Sequence, residues 1–305
     1  MKISNKNQIN IGCACNDAYA QHLGIMIYSL LKNCANPEKI RIFFMDGGIT
    51  NENKRKISSV VNHYSAKIVY INPNNESIAG LKECRHISRD AYYRFFIIEN
   101  QKLDKLLYLD ADIIINADIK ELWDTNFDGN IIFAVKDPGG SEQKKKSLGI
   151  NPKSYYFNSG VMLVDCKKWR KEKITKKAID FMKNNPEKIE YADQDGLNAV
   201  LVGKWKTLNP KWNLITRLVY YNFLPFLKIP NYDQENVSEI IKNPKIIHYA
   251  SFIKPWYYLD PSPYKKEYLK YLAKTPWKDY RQPDKTFTGV IKRINYYLKI
   301  IKQKF

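Results

Sequence analysis

The sequence predicts an α/β protein built on a mostly parallel sheet flanked by helices. Three observations carry that expectation. Short apolar runs alternate with stretches of helical period through the first two thirds of the chain, the strand-like runs are apolar on both faces, and a pair of acids interrupts one of them. A sheet covered by crossover helices buries both faces of its strands, so these read as continuous apolar segments.

In order, "INIGCA" (9–14) reads as the first strand and Ala18 to Leu31 as a mostly buried helix. "KIRIFFMD" (39–46) is a second strand, Asn51 to Asn62 a second helix, and "AKIVYIN" (66–72) a third strand, followed by a polar loop at 73–80. "SRDAYYRFFIIEN" (88–100) places Tyr92, Phe95, Phe96 and Glu99 at helical spacing. "KLLYLDADIII" (105–115) reads as one buried strand with Asp110 and Asp112 facing the same way and Ala111 leaving room between them. "IIFAVKD", "FNSGVMLVD" and "KIIHYAS" (245–251) are further strands, "YADQDGLNAVLVG" opens a helix, and 265–273 is helical.

The 305 residues are enough for one large α/β domain or a domain with a smaller appendage. At 44% hydrophobic and 13% aromatic content, extended disorder is excluded for most of the chain. Fifty Lys and Arg against 31 Asp and Glu give a formal charge of +19, which favours anionic partners without choosing among them. The five cysteines form neither a zinc ligand set nor a disulfide framework. The start, "MKISNKNQIN", has no apolar core of a signal peptide, and no window approaches a membrane span, so a cytoplasmic location is expected.

The tail differs in kind. In "VIKRINYYLKIIKQKF", Ile291, Ile294, Leu298, Ile301 and Phe305 recur at steps of three and four, and Lys292, Arg293, Lys299, Lys302 and Lys304 fill the polar arc. That is the composition of a basic amphipathic helix lying in an anionic membrane surface; a C-terminal helix docked on the body is the plainer reading.

Each candidate site residue also has a plain reading alone. An Asp-x-Asp can end a strand, Asp193 and Asp195 can cap a helix, Arg94 can pair with a surface acid, His248 can be a satisfied core histidine, and "NSGV" (158–161) can be a turn. Against this, two carboxylates inside an apolar run are costly to bury and repel each other unless a cation sits between them.

Together, the order of "NDAYA" (16–20), Arg94, "YLDADIII", "FNSGVMLVD", "YADQDGLN" and "HYASFIKPW" (248–256) resembles glycosyltransferase family 8, over roughly residues 9–260. These are the retaining sugar-nucleotide transferases that include glycogenin and the bacterial lipopolysaccharide galactosyl- and glucosyltransferases. The resemblance implies the A-type glycosyltransferase fold over residues 1–260, with a C-terminal helical region and membrane-docking tail over 261–305.

It further implies Asp110, Asp112 and His248 as ligands of Mn²⁺, or of Mg²⁺ in its place, with Ala111 between them. Ala14, Asn16 and Tyr19 match the segment that holds uracil. Arg94 and Lys254 match cations near the donor phosphates, and His86 and Ile87 the loop before the donor helix. Asn158, Asp193 and Gln194 match the groups around the reacting sugar, the catalytic set, and Asp137 matches a contact to the acceptor. Ser251 stands where the family usually has a glycine beside the phosphate.

The implied activity is transfer of a hexose from UDP-glucose or UDP-galactose to a cell-envelope glycan or lipid-linked acceptor, at the inner face of the membrane. Two rivals remain: an Asp-nucleophile phosphatase, which would place its Asp-x-Asp on the first strand, and a basic nucleic-acid-binding protein, for which no reading helix is present.

Overall fold

Four apolar runs become β1 (Ile9–Cys15), β2 (Ile40–Asp46), β3 (Lys67–Ile71) and β4 (Lys105–Leu109). The connecting segments are α1 (Ala20–Asn33), α2 (Asn51–His63) and α3 (Arg94–Ile98). The computed structural model describes residues 8–84, 88–100, 102–223, 234–250, 254–260, 262–291 and 293–294. His86, Ile87, Ser251 and the tail beyond 294 lie outside the described residues.

The chain continues through β5 (Ile113–Ile115), α4 (Lys120–Trp123), β6 (Ile132–Lys136), α5 (Glu142–Ser147), β7 (Phe157–Asp165), α6 (Cys166–Lys171) and α7 (Ile174–Asn184). It then forms α8 (Asp193–Val200), β8 (Trp205–Thr207), β9 (Leu214–Ile215), α9 (Thr216–Phe223), α10 (Gln234–Lys242), β10 (Ile246–His248) and α11 (Lys265–Leu272).

The strands form two sheets. The larger has the order β3-β2-β1-β4-β7-β6-β8, and the smaller the order β5-β10-β9. In the larger, β3, β2, β1 and β4 run parallel, β7 is antiparallel to β4 and β6, and β8 is parallel to β6. The expected mostly parallel sheet is present, reversed at the single long strand β7. Apolar side chains on its two faces enter two cores, one holding Ile11, Cys13, Leu107 and Leu109, the other Tyr108, Leu106, Met162 and Val164.

The expectation of one strand through 105–115 is corrected. β4 ends at Leu109, and β5 belongs to the other sheet. Asp110 still donates its N–H to Gly160 O at 2.9 Å, but Asp112 O accepts the N–H of Tyr249 at 3.0 Å, so the backbone has been captured by β10. Asp110-Ala111-Asp112 is therefore the crossing from one sheet to the other. Residues 88–100 differ as well: a tight 3-10 turn at Arg89–Tyr93 precedes the short α3.

Helix α1 carries a glycine in its interior, which costs helix stability, and the reason is steric. A Cβ at Gly24 would meet the Trp277 ring at 2.2 Å. Trp277, with Tyr268, Tyr271 and Leu272 of α11, joins the same core as β1 and β2. Beyond it, residues 287–291 and 293–294 are helical, and Phe287, Ile291 and Ile294 are exposed. No helix among the described residues is long and apolar enough to cross a membrane.

Candidate active site

The crossing between sheets brings two acids against the end of β10. One oxygen each of Asp110 and Asp112 and a ring nitrogen of His248 all lie within 4.8 Å of one another. His248 Nε2 is 3.3 Å from Asp112 Oδ1 and 3.7 Å from Asp110 Oδ2. Room for this exists because residue 160 has no side chain. A Cβ there would stand 2.2 Å from His248 Cε1 and 2.6 Å from Asp110 Oδ2. His248 is buried, while Asp110 keeps an open side.

Two cations hold the acids. Lys254 Nζ donates to Asp112 Oδ2 at 2.6 Å and to Tyr249 O at 2.8 Å. Burial alone would push the Asp112 carboxyl up; Lys254, donating to it at 2.6 Å, outweighs burial and holds the acid well below the usual carboxylate range. Lys254 is likewise depressed by burial and raised past that by Asp112 and Tyr19, so it stays charged.

Arg94 links the diacid to the start of α8. Its guanidinium donates to Ala91 O at 2.9 Å, Ser159 O at 2.5 Å and Asp110 Oδ1 at 3.2 Å, and lies over the Tyr108 ring. Asp193 Oδ2 comes within 3.0 Å of Arg94 Nε, yet receives no hydrogen bond, because the single Nε hydrogen is directed at Ala91 O. Burial pushes the Asp193 carboxyl up to about 7, with Arg94 opposing and Asp110 reinforcing that rise.

A buried amide network sits beside these charges. Gln194 Oε1 accepts from Ser159 N–H at 3.0 Å and Asn158 Nδ2 at 3.2 Å, while its Nε2 donates to Asp137 Oδ2 and Tyr156 Oη, both at 3.2 Å. Asn158 Nδ2 also donates to Asp137 Oδ2 at 2.9 Å. The helix start is strained, with Ala192 at φ 48°, and Asp195 holds it there. Asp195 accepts from the Glu190 and Tyr191 N–H groups, from Tyr156 Oη at 2.6 Å and from Lys144 Nζ at 2.8 Å. Asp195 thus caps the turn before its own helix, the plain role open to it in the sequence.

The expected uracil-side segment closes the other end of the crossing. Ala14 lies in β1. Asn16 caps the next turn, accepting from Ala18 N–H at 3.1 Å and donating to Asp90 Oδ2 at 2.5 Å. Tyr19 stands edge-on to Trp256, two residues beyond Lys254, and Trp256 stacks on buried His22 at 3.5 Å. The structure therefore gathers Asp110, Asp112, His248, Lys254, Arg94, Asp193, Gln194, Asn158 and Asp137 into one connected cluster. It adds Gly160, Tyr156, Asp195, Lys144 and Asn213, which the sequence reading did not assign to the site. Gly160 stood inside the quoted "NSGV"; nothing around Asn213 in the sequence marks it.

The comparisons now decide the family. The sequence model described as "Glycosyl transferase family 8" matches residues 10–260. This chain belongs to glycosyltransferase family 8. It is 32% identical over 280 residues to General stress protein A of Bacillus subtilis, covering 90% of this chain and 96% of that protein. It is 32% identical over 285 residues to the lipopolysaccharide 1,3-galactosyltransferase of Salmonella typhimurium, covering 90% and 80%. Among solved structures, the galactosyltransferase LgtC in complex with donor and acceptor sugar analogues superposes with a TM-score of 0.77 at 26% identity, covering 88% of this chain and 96% of that one. The fold is the A-type glycosyltransferase fold. Family membership leaves the phosphatase and nucleic-acid readings without support.

The donor set suits a hard divalent cation. Two carboxylates and one imidazole, converging where a glycine leaves space, are oxygen-rich with a single nitrogen, and no cysteine is among them.

Proposed function

We propose that the chain is a divalent-cation-dependent, retaining hexosyltransferase. It would move glucose or galactose from a UDP-sugar to a cell-envelope glycan or lipid-linked acceptor of the lipopolysaccharide type. The observation that carries this reading is the convergence of Asp110, Asp112 and His248 beneath two buried cations at the crossing of the sheets. The galactosyl- and glucosyltransferase names of the relatives support the hexose, and Mn²⁺ is the ion the donor set favours.

Asp110, Asp112 and His248 would hold the ion, which when bound supplies positive charge to a departing diphosphate. The chain's own residues do the rest. Lys254 keeps Asp112 ionised, and Arg94 fixes Asp110 while presenting Asp193. Asp193 Oδ2, ion-paired with Arg94 at 3.0 Å, receives no hydrogen bond and keeps acceptor capacity for a sugar hydroxyl. Gln194 is neutral, and its amide is engaged on both sides. Such a group is a poor nucleophile, so the economical route is same-face displacement, with a leaving phosphate oxygen accepting the acceptor's proton. A sugar adduct trapped on Gln194 or Asp193 at a competent rate would rule that route out.

The test is to incubate the protein with Mn²⁺ and a panel of sugar nucleotides and score hydrolysis. UDP-glucose or UDP-galactose should be consumed in a metal-dependent way; indifference to every UDP-sugar refutes the proposal. For the location, exposed Phe287, Ile291 and Ile294 support docking on the inner membrane face, while Arg293 is turned to the body, donating to Tyr258 O at 2.6 Å. Deleting residues 286–305 should release the protein from anionic vesicles while leaving hydrolysis largely intact, and unchanged vesicle binding would refute the docking role.

A further inference from the structure

We infer that Asn213 is a positioning residue: it fixes the ring of His248 in the Nδ1–H form, leaving the Nε2 lone pair to face the two carboxylates. The inference rests on the proposal that these three groups bind a cation, and it follows from hydrogen-bond polarity. Asn213 is fully buried in the turn before β9, 3.0 Å from His248 Nδ1 through Oδ1 and 2.9 Å from Asn158 Oδ1 through Nδ2.

Backbone N–H groups can only donate, and two of them set the direction of the whole chain. Gly160 N–H reaches Asn158 Oδ1 at 3.0 Å, so that atom is the carbonyl oxygen and Asn158 Nδ2 points to Asp137 and Gln194. Ser159 N–H reaches Gln194 Oε1, which orients the second amide in the same way. The Asn213 atom facing Asn158 Oδ1 must then be its NH₂ group, and the atom facing His248 must be its oxygen. An oxygen at 3.0 Å requires a hydrogen on Nδ1.

Every donor in this row points one way: His248 to Asn213, Asn213 to Asn158, Asn158 to Asp137. The row ends on a carboxylate, so each bond polarises the next and pushes electron density toward Nε2. It also joins the proposed cation site to Asp137, the group expected at the acceptor. Without Asn213 the neutral ring is free to carry its hydrogen on Nε2, pointing at Asp112, and is then no ligand.

The experiment reads the ring directly. Long-range ¹H–¹⁵N spectra of the metal-free protein at mildly alkaline pH distinguish the two neutral forms, and His248 is identified among the four histidines by its absence in His248→Ala. The parent should show Nδ1–H, and Asn213→Leu should populate Nε2–H and bind Mn²⁺ roughly 10- to 100-fold more weakly by paramagnetic resonance titration. Asn213→Asp keeps an oxygen toward Nδ1 but loses the hydrogen given to Asn158 Oδ1, so it should hold the Nδ1–H ring form while breaking the row toward Asp137. An Nε2–H ring in the parent overturns the inference, even if Asn213→Leu fails to fold. So does unchanged Mn²⁺ affinity in a folded Asn213→Leu. A parent that shows Nδ1–H but binds no Mn²⁺ overturns the cation reading on which the inference rests, and the spectrum tells that failure from an error in the ring assignment.

Discussion

Gly160→Ala puts the architecture of the site under the most direct strain. The added methyl would sit 2.2 Å from His248 Cε1, 2.6 Å from Asp110 Oδ2 and 2.9 Å from His248 Nδ1. The pairing of β7 with β6 is interrupted between Met162 and Phe157, but the backbone at residue 160 is tied to the β4 side by the Asp110 N–H to Gly160 O bond at 2.9 Å. The imidazole must therefore move by about 1 Å or more to regain ordinary van der Waals contact, and Asn213 blocks it from behind. Overpacking of this kind costs roughly 1–3 kcal/mol of stability. A ligand displaced that far lies well outside the roughly 0.2 Å tolerance of a metal bond, and a 1 Å error in a reacting site costs about 100-fold in rate. The measurement pairs urea unfolding of the metal-free protein with Mn²⁺ titration and UDP-sugar hydrolysis. A folded Gly160→Ala protein with parental metal affinity and hydrolysis would refute both the site's location and the role given to that glycine.

Lys254→Met should leave Asp112 as an uncompensated buried acid, lowering metal-free stability by roughly 3–5 kcal/mol. Added Mn²⁺ should recover part of that loss, and equal unfolding midpoints with and without the ion would contradict the pairing. His22, held down to about 3 by burial against Trp256, is neutral in the folded chain, whereas the unfolded chain takes up a proton below 6.5. The unfolded state then binds more protons as the pH falls, so His22 alone should remove about 2 kcal/mol of stability by about pH 5. His22→Gln should flatten that slope in denaturant titrations, and an unaltered slope would sink the assignment. Asp195→Asn would break the Lys144 pair; with its oxygen kept on the Glu190 and Tyr191 N–H groups its NH₂ faces Tyr156 Oη, whose hydrogen loses its acceptor, so the hold on the strained turn at Ala192 should weaken. Expected is a stability loss of roughly 3 kcal/mol or more with sharply reduced hydrolysis; parental unfolding would argue against a structural role.

Apolar runs bounded by polar turns place β1 to β3 and the helices α1 and α2, because local burial on both faces leaves a pattern in consecutive residues. The site acids were legible for a similar reason: charge inside an apolar run is costly and so stands out. The break after Leu109 was not legible, since Ile113–Ile115 is as apolar as β4 and only the competing partner β10 reveals the switch of sheets. Gly160 and Asn213 were missed on other grounds. A glycine's role is the volume it leaves to residues far along the chain, and Asn213 acts through partners 35 and 55 positions away.

The three-residue passage between the sheets leaves almost no slack. Both sheets are pinned at its ends, by Asp110 N–H to Gly160 O and by Tyr249 N–H to Asp112 O. An inserted or deleted residue would shift the register of β5 against β10, so that stretch is frozen against variation in length. Room for variation in length lies elsewhere, in the loop 151–155 before β7, which supplies none of the clustered side chains. The hub stays fixed while its rim can change in length.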